Sequence, residues 1–323
     1  MRFVVFGAGA VGGVVGARLF QQGHDVVLIA RGPHFDAIRS SGLTIESAED
    51  RTTLPVRVVE SPGDLAFTPD DVVLLAMKSQ DTVTALDALR EATSHALSIV
   101  CLQNGVGNER AALRRFPDVY GVCVMAPTAH LEPGVVRAWS VPISGLLDIG
   151  RYPSGVDDLA RDIASAFRKS TFESEPRPDI MRWKYTKLLM NLGNVVEAVC
   201  GDSEGSADLT RRLRSEGAAC LRAAGIEFTS QEEDRERRGN LLTPQPIAGA
   251  QRGGGSSWQS LARGTGAIET DYLNGEIVLL GRLHGVPIPT NALLQQLAGE
   301  SAREQRPPGW LPAQEVLGRL PLP

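Results

Sequence analysis

The apolar positions of the first thirty-one residues are typical of a strand, a tight turn, a helix and a second strand. Residues 3–6 are apolar without alternation, as expected of a strand that is buried on both faces of a parallel sheet. A helical pattern covers about residues 11–22, and a second apolar run covers residues 25–29. This order predicts the opening β-α-β unit of a doubly wound α/β domain.

Three glycines, Gly7, Gly9 and Gly12, stand between the first strand and the helix in the spacing G-x-G-x-x-G. In this context the first glycine permits the turn, the second lets the backbone approach a pyrophosphate, and the third lets the helix pack closely on the strand. The helix N-terminus then faces the anion. The alternative is a glycine turn without a ligand, but the flanking strand and helix favour a dinucleotide site.

The residues after the second strand indicate which dinucleotide is bound. An acidic residue here selects NAD by accepting hydrogen bonds from the ribose, whereas an arginine accommodates the extra phosphate of NADP. This chain has Ala30 and then Arg31, whose guanidinium suits a phosphate. We therefore expect NADP(H) as the cofactor; the alternative is that Arg31 is a solvated loop residue.

Two further apolar runs, residues 71–77 and 97–102, each end in polar residues. Lys78 follows the first run and Asn104 follows the second. Ligands of an open parallel sheet bind beyond the carboxyl ends of its strands, so both residues are expected to bind the cofactor or the substrate. The alternative is that they cap helices or belong to polar loops.

The remaining pattern predicts an α/β, Rossmann-type doubly wound sheet followed by an all-α domain. Strands are expected at 120–125 and 146–149, with the segment HLEPGVV as a turn between antiparallel strands at the edge of the same sheet. A helix at 156–168 and a Pro-rich connector at 173–179 follow. We therefore expect an NADP-binding domain at 1–174 and a helical catalytic and substrate domain at 175–323.

The second half of the chain has apolar residues at helical spacing. Helices are predicted at 180–199, 207–223, 267–284 and 290–304. The Pro-rich tail from Pro307 onward is expected to be weakly ordered or to lie on the surface.

Composition narrows the classes of function. A net charge of −5 argues against a nucleic-acid partner, and no stretch approaches the roughly 18–20 apolar residues of a membrane-spanning helix. The four cysteines and five histidines are scattered without metal-ligand spacing, so we expect no metal site, no disulfide framework and a cytoplasmic location. A helical second domain would accommodate a homodimer without requiring one.

A polar stripe interrupts the apolar pattern of residues 180–199. Asn191 lies about 40° from Lys187 around a helix, and Asn194 lies about 20° from Lys187, at about 100° per residue. The alternative is a solvated face, since Lys184 and Glu197 are also polar. Further along, Ser257 and Glu269 complete a set of side chains that suits a small anionic, hydroxylated ligand.

These blocks resemble the ketopantoate reductase family. The resemblance is carried by GAGAVGG, AMKSQDT, LQNGVGNE, HLEPGVV, KLLMN, SSW and ETDYLNG, spread over residues 1 to about 290. It implies a Rossmann domain that holds NADPH and a helical domain that supplies a catalytic lysine, Lys187. It also implies that Asn191, Ser257 and Glu269 bind the substrate and that Lys78 and Asn104 lie beside the nucleotide.

The chain departs from the family pattern at three positions. A second helix asparagine is expected where Val195 stands, and Asn194 precedes it. An asparagine is expected at Gly254, and an acidic residue at Ser260. These departures leave the cofactor chemistry intact and bear on which acyl substrate is bound.

The resemblance implies NADPH-dependent reduction of a small 2-oxo acid, first of all 2-dehydropantoate to pantoate on the route to pantothenate. Two alternatives stay open. One is a reductase of another branched 2-oxo acid, suggested by the missing asparagines. The other is a non-catalytic NADP-sensing protein on the same fold, which would need neither Lys187 nor Glu269.

Overall fold

The computed structural model describes residues 1–250, 253–264 and 266–321, and the chain divides into two compact units. The first unit comprises Met1–Lys184 and Ser230–Gln251, and the second comprises Tyr185–Thr229 and Arg252–Pro323.

The strands are β1 (Arg2–Phe6), β2 (Asp25–Ile29), β3 (Leu43–Glu46), β4 (Arg51–Leu54), β5 (Arg57–Val59), β6 (Asp71–Leu75), β7 (Ser98–Cys101), β8 (Asp118–Met125), β9 (Thr128–Ala129), β10 (Val135–Ala138), β11 (Gly145–Arg151) and β12 (Phe172–Glu173). The helices are α1 (Ala10–Gln21), α2 (Gly32–Ser41), α3 (Thr82–Ala92), α4 (Asn108–Leu113), α5 (Asp158–Lys169), α6 (Ile180–Asn191), α7 (Asn194–Cys200), α8 (Ser206–Ala223), α9 (Gln231–Arg238), α10 (Ser256–Ala262), α11 (Asn274–His284), α12 (Pro289–Arg303) and α13 (Ala313–Gly318).

The main sheet of the first unit has the strand order β12-β11-β8-β7-β6-β1-β2-β5. The six strands β8, β7, β6, β1, β2 and β5 run parallel to one another, whereas β11 runs antiparallel to β8. Strand β1 lies inside the sheet and is buried on both faces: Phe3 and Val5 enter one hydrophobic core, and Val4 and Phe6 enter the other. The predicted α/β doubly wound domain is therefore confirmed.

A second, smaller sheet has the order β4-β3-β10-β9. The segment HLEPGVV belongs to it, so the prediction that this segment lies at the edge of the main sheet was wrong. Strand β10 pairs with β3 through Val135 and Thr44, and the place beside β8 in the main sheet is taken by β11. Val136 of β10 is fully buried, because it packs against Gly13 of α1. A local pattern cannot show which of two sheets a short strand joins.

The described residues of the second unit form helices and no strands, which confirms the predicted all-α domain. Its core contains Leu188, Leu192, Val195, Leu213 and Ile277, all fully buried. The helices predicted at 207–223 and 290–304 correspond to α8 and α12. Across the described residues, none of the helices combines the length and the apolar character needed to cross a membrane.

The single helix predicted at 180–199 is divided into α6 and α7. The division falls at Gly193, where an added Cβ would lie 3.0 Å from Cγ2 of Thr210 on α8. The side chain of Asn274 donates a hydrogen bond of 3.3 Å to the carbonyl oxygen of Leu192, a group released from the helical ladder. Contacts from distant helices therefore end α6, although the apolar spacing continues through the break.

The division into units differs from the predicted boundary after residue 174. The first half of α6 belongs to the first unit, and the segment 230–251 returns to it from the second half of the sequence. Arg237 of α9 donates two hydrogen bonds to Asp148, at 2.8 and 2.6 Å, and Arg182 donates two to Glu233, at 2.9 and 2.7 Å. The Pro-rich connector marks the change from alternating strands and helices to helices alone. These ion pairs, however, determine where α9 packs.

The Pro-rich tail was expected to be weakly ordered or to lie on the surface; its described part, residues 307–321, packs against α7. The backbone N–H groups of Gly309 and Leu311 donate to the carbonyl oxygens of Ala198 and Val199, at 3.1 and 3.2 Å. Ala313 and Val316 of α13 are fully buried. The apolar residues between the prolines therefore pack into the second unit.

A buried ion pair anchors the start of α6 in the first unit. The Lys184 ammonium lies 2.7 Å from Oε1 of Glu109, and the two side chains are 2% and 0% exposed. The ammonium also donates hydrogen bonds to the carbonyl oxygens of Gln103 and Val122, at 2.8 and 3.1 Å. From the sequence, Lys184 only supported the alternative of a solvated helix face, because nothing in the local pattern distinguishes a buried lysine on a helix.

We expect Glu109→Gln to lower the free energy of unfolding by about 3–5 kcal/mol, since it leaves a buried ammonium without its counter-charge. The double variant Lys184→Met/Glu109→Leu should recover a large part of this loss, because neither charge remains. Urea denaturation of both variants measures the difference. Arg161→Ala serves as the control: its exposed pair with Asp158 should be worth less than about 1 kcal/mol. A cost for Glu109→Gln as small as that of the control would contradict the assignment.

Candidate active site

The turn between β1 and α1 requires glycine at two positions. Gly7 has a φ of +101°, and a Cβ there would lie 2.7 Å from the backbone nitrogen of Met77. A Cβ on Gly12 would collide with the carbonyl oxygen of Gly7 and lie 2.7 Å from Cβ of Ala76. Helix α1 can therefore approach β1 and the end of β6 only because these two residues have no side chain.

Gly9 differs from its two neighbours in the motif, because no atom of the described residues lies within 4 Å of the position of its Cβ. It is also the N-cap of α1, and no side chain of the described residues caps the first amide groups of that helix. The turn thus combines open space at Gly9 with unsatisfied N–H groups. This combination fits a pyrophosphate.

Arg31 is exposed, and it stands between the end of β2 and the first residue of α2. Because β1 and β2 are parallel neighbours, their carboxyl ends lie at the same edge of the sheet. A phosphate on the ribose of a dinucleotide held by the glycine turn would be at this edge.

Lys78 and Asn104 follow the neighbouring parallel strands β6 and β7, and both are half-buried. The loops that carry them are joined by a buried network. The Gln103 amide donates to the carbonyl oxygen of Met77 at 3.0 Å and to the Thr82 hydroxyl at 2.8 Å. The Asn108 amide donates to the carbonyl oxygen of Asn104 at 3.0 Å.

Thr82 and Asn108 were not predicted from the sequence to belong to the site. Thr82 donates to the side-chain oxygen of Asn108 at 2.8 Å, and the two residues begin α3 and α4. A polar residue in the first turn of a helix normally indicates a cap, so only the three-dimensional arrangement identifies this link.

The second unit carries the residues predicted to act on the substrate. Lys187 is half-buried and Asn191 is buried, both on α6. Ser257 lies on α10 with 1% of its surface exposed, and Glu269 begins a short 3-10 helix before α11 with 4% exposed.

Three elements meet at the break between α6 and α7. The N–H group of Gly255, just before α10, donates to Oε2 of Glu197 on α7 at 2.8 Å. The side-chain oxygen of Asn194 lies 3.7 Å from the position of a Cβ on Gly255. The side chain of Asn274, the first residue of α11, donates a hydrogen bond to the carbonyl oxygen of Leu192.

The predicted stripe of three polar residues is present only in part. Lys187 and Asn191 share α6, but the interpretation of Asn194 as a member of the same continuous helical stripe was wrong, because α6 ends at Asn191. Asn194 instead begins α7, beside the residues that precede Ser257. Val195, at the position where the resemblance expects an asparagine, is fully buried.

The hydroxyl oxygen of Ser257 is buried and has no hydrogen-bond partner among the described residues. A buried hydroxyl without a partner is costly, so such a group indicates a ligand or an ordered water.

The described residues contain neither an exposed thiol nor a cluster of metal-binding side chains. All four cysteines are buried, and burial raises the pKa of the Cys200 thiol to about 11. Among the described residues, no group of His, Cys, Asp and Glu side chains forms a metal site.

Two sequence models match the chain: ketopantoate reductase PanE/ApbA over residues 3–153, and the ketopantoate reductase PanE/ApbA C-terminal model over residues 179–302. The chain belongs to the ketopantoate reductase family. The 2-dehydropantoate 2-reductase of Pyrococcus horikoshii is 28% identical to it over 305 residues, which cover 92% of this chain and 96% of the relative.

Solved structures agree on the fold. A PanE/ApbA family ketopantoate reductase from Ralstonia eutropha JMP134 is 28% identical, with a TM-score of 0.79 over 95% of this chain and all of the other. A ternary structure of D-mandelate dehydrogenase with NADH and anilino(oxo)acetate has a TM-score of 0.80 over 94% of this chain and 99% of the other. At 22% identity it shows a shared fold alone.

We expect Ser257→Ala to leave the free energy of unfolding unchanged or slightly raised, because the buried oxygen loses no protein partner. If the hydroxyl binds an anionic substrate, the same change should raise the Michaelis constant for that substrate by about tenfold or more. Chemical denaturation and steady-state kinetics measure the two effects.

Ser301→Ala is the matched control. The Ser301 hydroxyl is also buried, but it donates to Leu297 and accepts from Trp310, at 2.6 and 2.7 Å. Its loss should lower stability and leave the Michaelis constant unchanged. A Ser257 variant that behaves like the Ser301 variant would show that Ser257 has a structural role.

Proposed function

We propose that this protein is an NADPH-dependent reductase that converts 2-dehydropantoate to pantoate in pantothenate biosynthesis. The observation that carries the proposal is the buried, unpartnered hydroxyl of Ser257 in a member of this family that retains Lys187 and Glu269. A ligand with an acceptor for that hydroxyl removes the cost of leaving it unsatisfied.

In this proposal Gly7, Gly9 and Gly12 form the cofactor turn, and NADPH, when bound, supplies the hydride. The first N–H groups of α1 donate hydrogen bonds to the pyrophosphate oxygens, and Arg31 pairs with the 2′-phosphate. Lys78 and Asn104 bind the cofactor beyond β6 and β7. The open space at Gly9 supports this assignment.

Lys187 acts as the general acid. As the ketone carbon is reduced, negative charge develops on the carbonyl oxygen, and the Lys187 ammonium stabilises that charge and donates the proton that completes the alcohol. Solvent then restores the proton to the amine. Asn191, one turn along α6, orients the substrate by amide hydrogen bonds.

Ser257 donates its hydroxyl hydrogen to the substrate carboxylate, and Glu269 accepts a hydrogen bond from the substrate's primary hydroxyl. Asn194 takes the role of the family's second helix asparagine, reaching the substrate from the start of α7 instead of from α6. Its position beside Gly255, at the start of the helix that carries Ser257, supports this assignment.

We assign cofactor binding to residues 1–174, and substrate binding and proton transfer to residues 175–323. The two matched models, which end at 153 and begin at 179, support a functional boundary in this range. We further propose that the protein works in the cytoplasm; its helical domain would accommodate a homodimer without requiring one.

A second candidate is the reduction of a different branched 2-oxo acid. It is favoured by Val195, Gly254 and Ser260, which replace groups that the resemblance expects beside the substrate. A non-catalytic NADP sensor on the same fold is disfavoured, because such a protein needs neither Lys187 nor Glu269.

The decisive experiment follows NADPH oxidation at 340 nm with a panel of 2-oxo acids, including 2-dehydropantoate and analogues that lack its hydroxyl. We expect 2-dehydropantoate to have the highest kcat/KM. Lys187→Ala should lose at least about a hundredfold in kcat, in line with the contribution of a general acid, and retain NADPH affinity. Lys187→Arg should also remain slow, because a guanidinium keeps the charge but does not release its proton.

Two results would reject this mechanism. Normal turnover by Lys187→Ala would exclude Lys187 as the acid, and a panel in which no 2-oxo acid oxidises NADPH would favour the sensor. A preference for a 2-oxo acid without the hydroxyl would instead favour the second candidate.

The cofactor assignment predicts that NADPH binds more tightly than NADH. Arg31→Ala should weaken NADPH binding by roughly tenfold to a hundredfold, the value of a charge-assisted contact to phosphate, and leave NADH binding nearly unchanged. Titration calorimetry measures both. Arg39→Ala is the control, because Arg39 is an exposed arginine on α2, the helix that begins directly after Arg31, and it pairs with Asp36. Equal affinities of the unmodified protein for NADPH and NADH would contradict the assignment of NADPH as the cofactor.

A further inference from the structure

The segment HLEPGVV has so far received no function. It connects β9 to β10 in the second sheet, and its residue Gly134 contacts the side chain of His34 on α2. The Gly134 N–H group donates to Nδ1 of His34 at 2.9 Å, and Nε2 of His34 lies 2.7 Å from the carbonyl oxygen of Ala8. Ala8 stands between Gly7 and Gly9 in the glycine turn.

The two hydrogen bonds together fix the chemical form of His34. Because the Gly134 N–H is a donor, Nδ1 must be the unprotonated, accepting nitrogen. Because the Ala8 oxygen is an acceptor, Nε2 must carry the hydrogen. His34 is therefore a neutral imidazole whose two nitrogens link the second sheet to the turn.

We propose that His34 is a positioning residue for NADPH, which holds the backbone at Ala8 so that the N–H groups of the glycine turn face the pyrophosphate. This inference rests on the proposed function only in that the turn binds a dinucleotide. The HLEPGVV segment, through Gly134, is then the support that orients His34.

The support is rigid on the side of the second sheet. The carbonyl oxygen of Gly134 accepts a hydrogen bond of 2.8 Å from the N–H group of Thr44, so both backbone groups of Gly134 are used. Gly134 has a φ of +78°, and a Cβ there would lie 3.0 Å from Cβ of Ala37 on α2. The turn therefore lies directly against the helix that carries His34.

Burial favours the neutral form of the His34 ring. Burial lowers its pKa, against the opposing effect of the hydrogen bond to Ala8. The titratable side chain that faces it from the second sheet is His130, whose ring centroid lies 4.1 Å away. Glu132 in the same segment pairs with Arg137 at 2.7 Å.

On its own helix, Asp36 pairs with Arg39 at 3.2 Å, and Arg31 lies at the start of that helix. None of these groups replaces the Gly134 N–H as the partner of Nδ1.

The direction of the pH effect follows from these contacts. Because the pKa of folded His34 lies below its unfolded value of about 6.5, the stability that the neutral ring contributes is complete above about pH 6.5. It is lost as the pH falls towards the pKa of the folded state. Protonation places a hydrogen on Nδ1 facing the Gly134 N–H, and the support for the turn fails.

The test measures the dissociation constant of NADPH from pH 5.5 to 8 by the fluorescence of the bound nicotinamide, for the unmodified protein, His34→Phe, His34→Gln and His24→Gln. His34→Phe removes both hydrogen bonds. His34→Gln keeps a donor at the position of Nε2 and does not titrate. His24→Gln is the control, since His24 lies at the other end of α1 and packs edge-on against Phe3.

At pH 7.5 we expect His34→Phe to raise the dissociation constant about fivefold to tenfold, the effect of one or two buried hydrogen bonds. His34→Gln should bind closer to the unmodified protein. As the pH falls below about 6.5, the ratio of the His34→Gln constant to the unmodified constant should decrease, because only the unmodified protein loses an acceptor. Protonation of the cofactor's own phosphate, whose second pKa is about 6, affects both constants equally and therefore cancels in the ratio. The kcat at saturating NADPH should stay unchanged in each variant.

Three results would overturn the inference: a His34→Phe variant that binds NADPH normally, a His34→Gln ratio that is constant with pH, or tighter binding by the unmodified protein at low pH. The last would mean that the ring acts as a cation towards phosphate. These outcomes differ from failure of the proposed function, in which the unmodified protein would bind no NADPH at any pH.

Discussion

The approach of helix α1 to strands β1 and β6 is the constraint on which the cofactor half of the protein depends. It requires the absence of side chains at Gly7 and Gly12, since a Cβ at either position would overlap the backbone or Ala76. The space at the position of a Cβ on Gly9 is left open. Arg31, Lys78 and Asn104 stand after the carboxyl ends of three strands of the same parallel sheet.

Local signals were sufficient for the opening strand, turn and helix of this half. Strand β1 is apolar on both faces, and the glycines follow it at once, so neighbouring residues alone predict the strand, the turn and the helix. The same holds for α8 and α12, whose apolar spacing agrees with their packing. The roles of the site residues on these elements came from their positions at strand ends and from the family resemblance, not from periodicity.

The sequence could not predict features that depend on distant contacts. The break at Gly193 results from the proximity of Thr210 and from the Asn274 side chain, neither of which changes the apolar spacing of residues 180–199. The burial of Lys184 depends on Glu109, and the return of α9 to the first unit depends on Asp148. Each contact joins residues far apart in sequence, so no window of neighbouring residues contains both partners.

The departures from the family pattern in the second unit are linked by packing. A Cβ on Gly254 would lie 2.5 Å from Cγ of Trp258 and 2.6 Å from Oε1 of Glu197, so an asparagine cannot occupy this position while those side chains keep their places. Val195 is buried in the helical core, where an amide would need partners. At position 254 the side chains of Trp258 and Glu197 therefore leave no room for an asparagine. At position 195 the apolar core offers no partners for one. Because Asn194 lies close to Gly255, the replacements at Val195 and Gly254 are both near the segment that precedes Ser257.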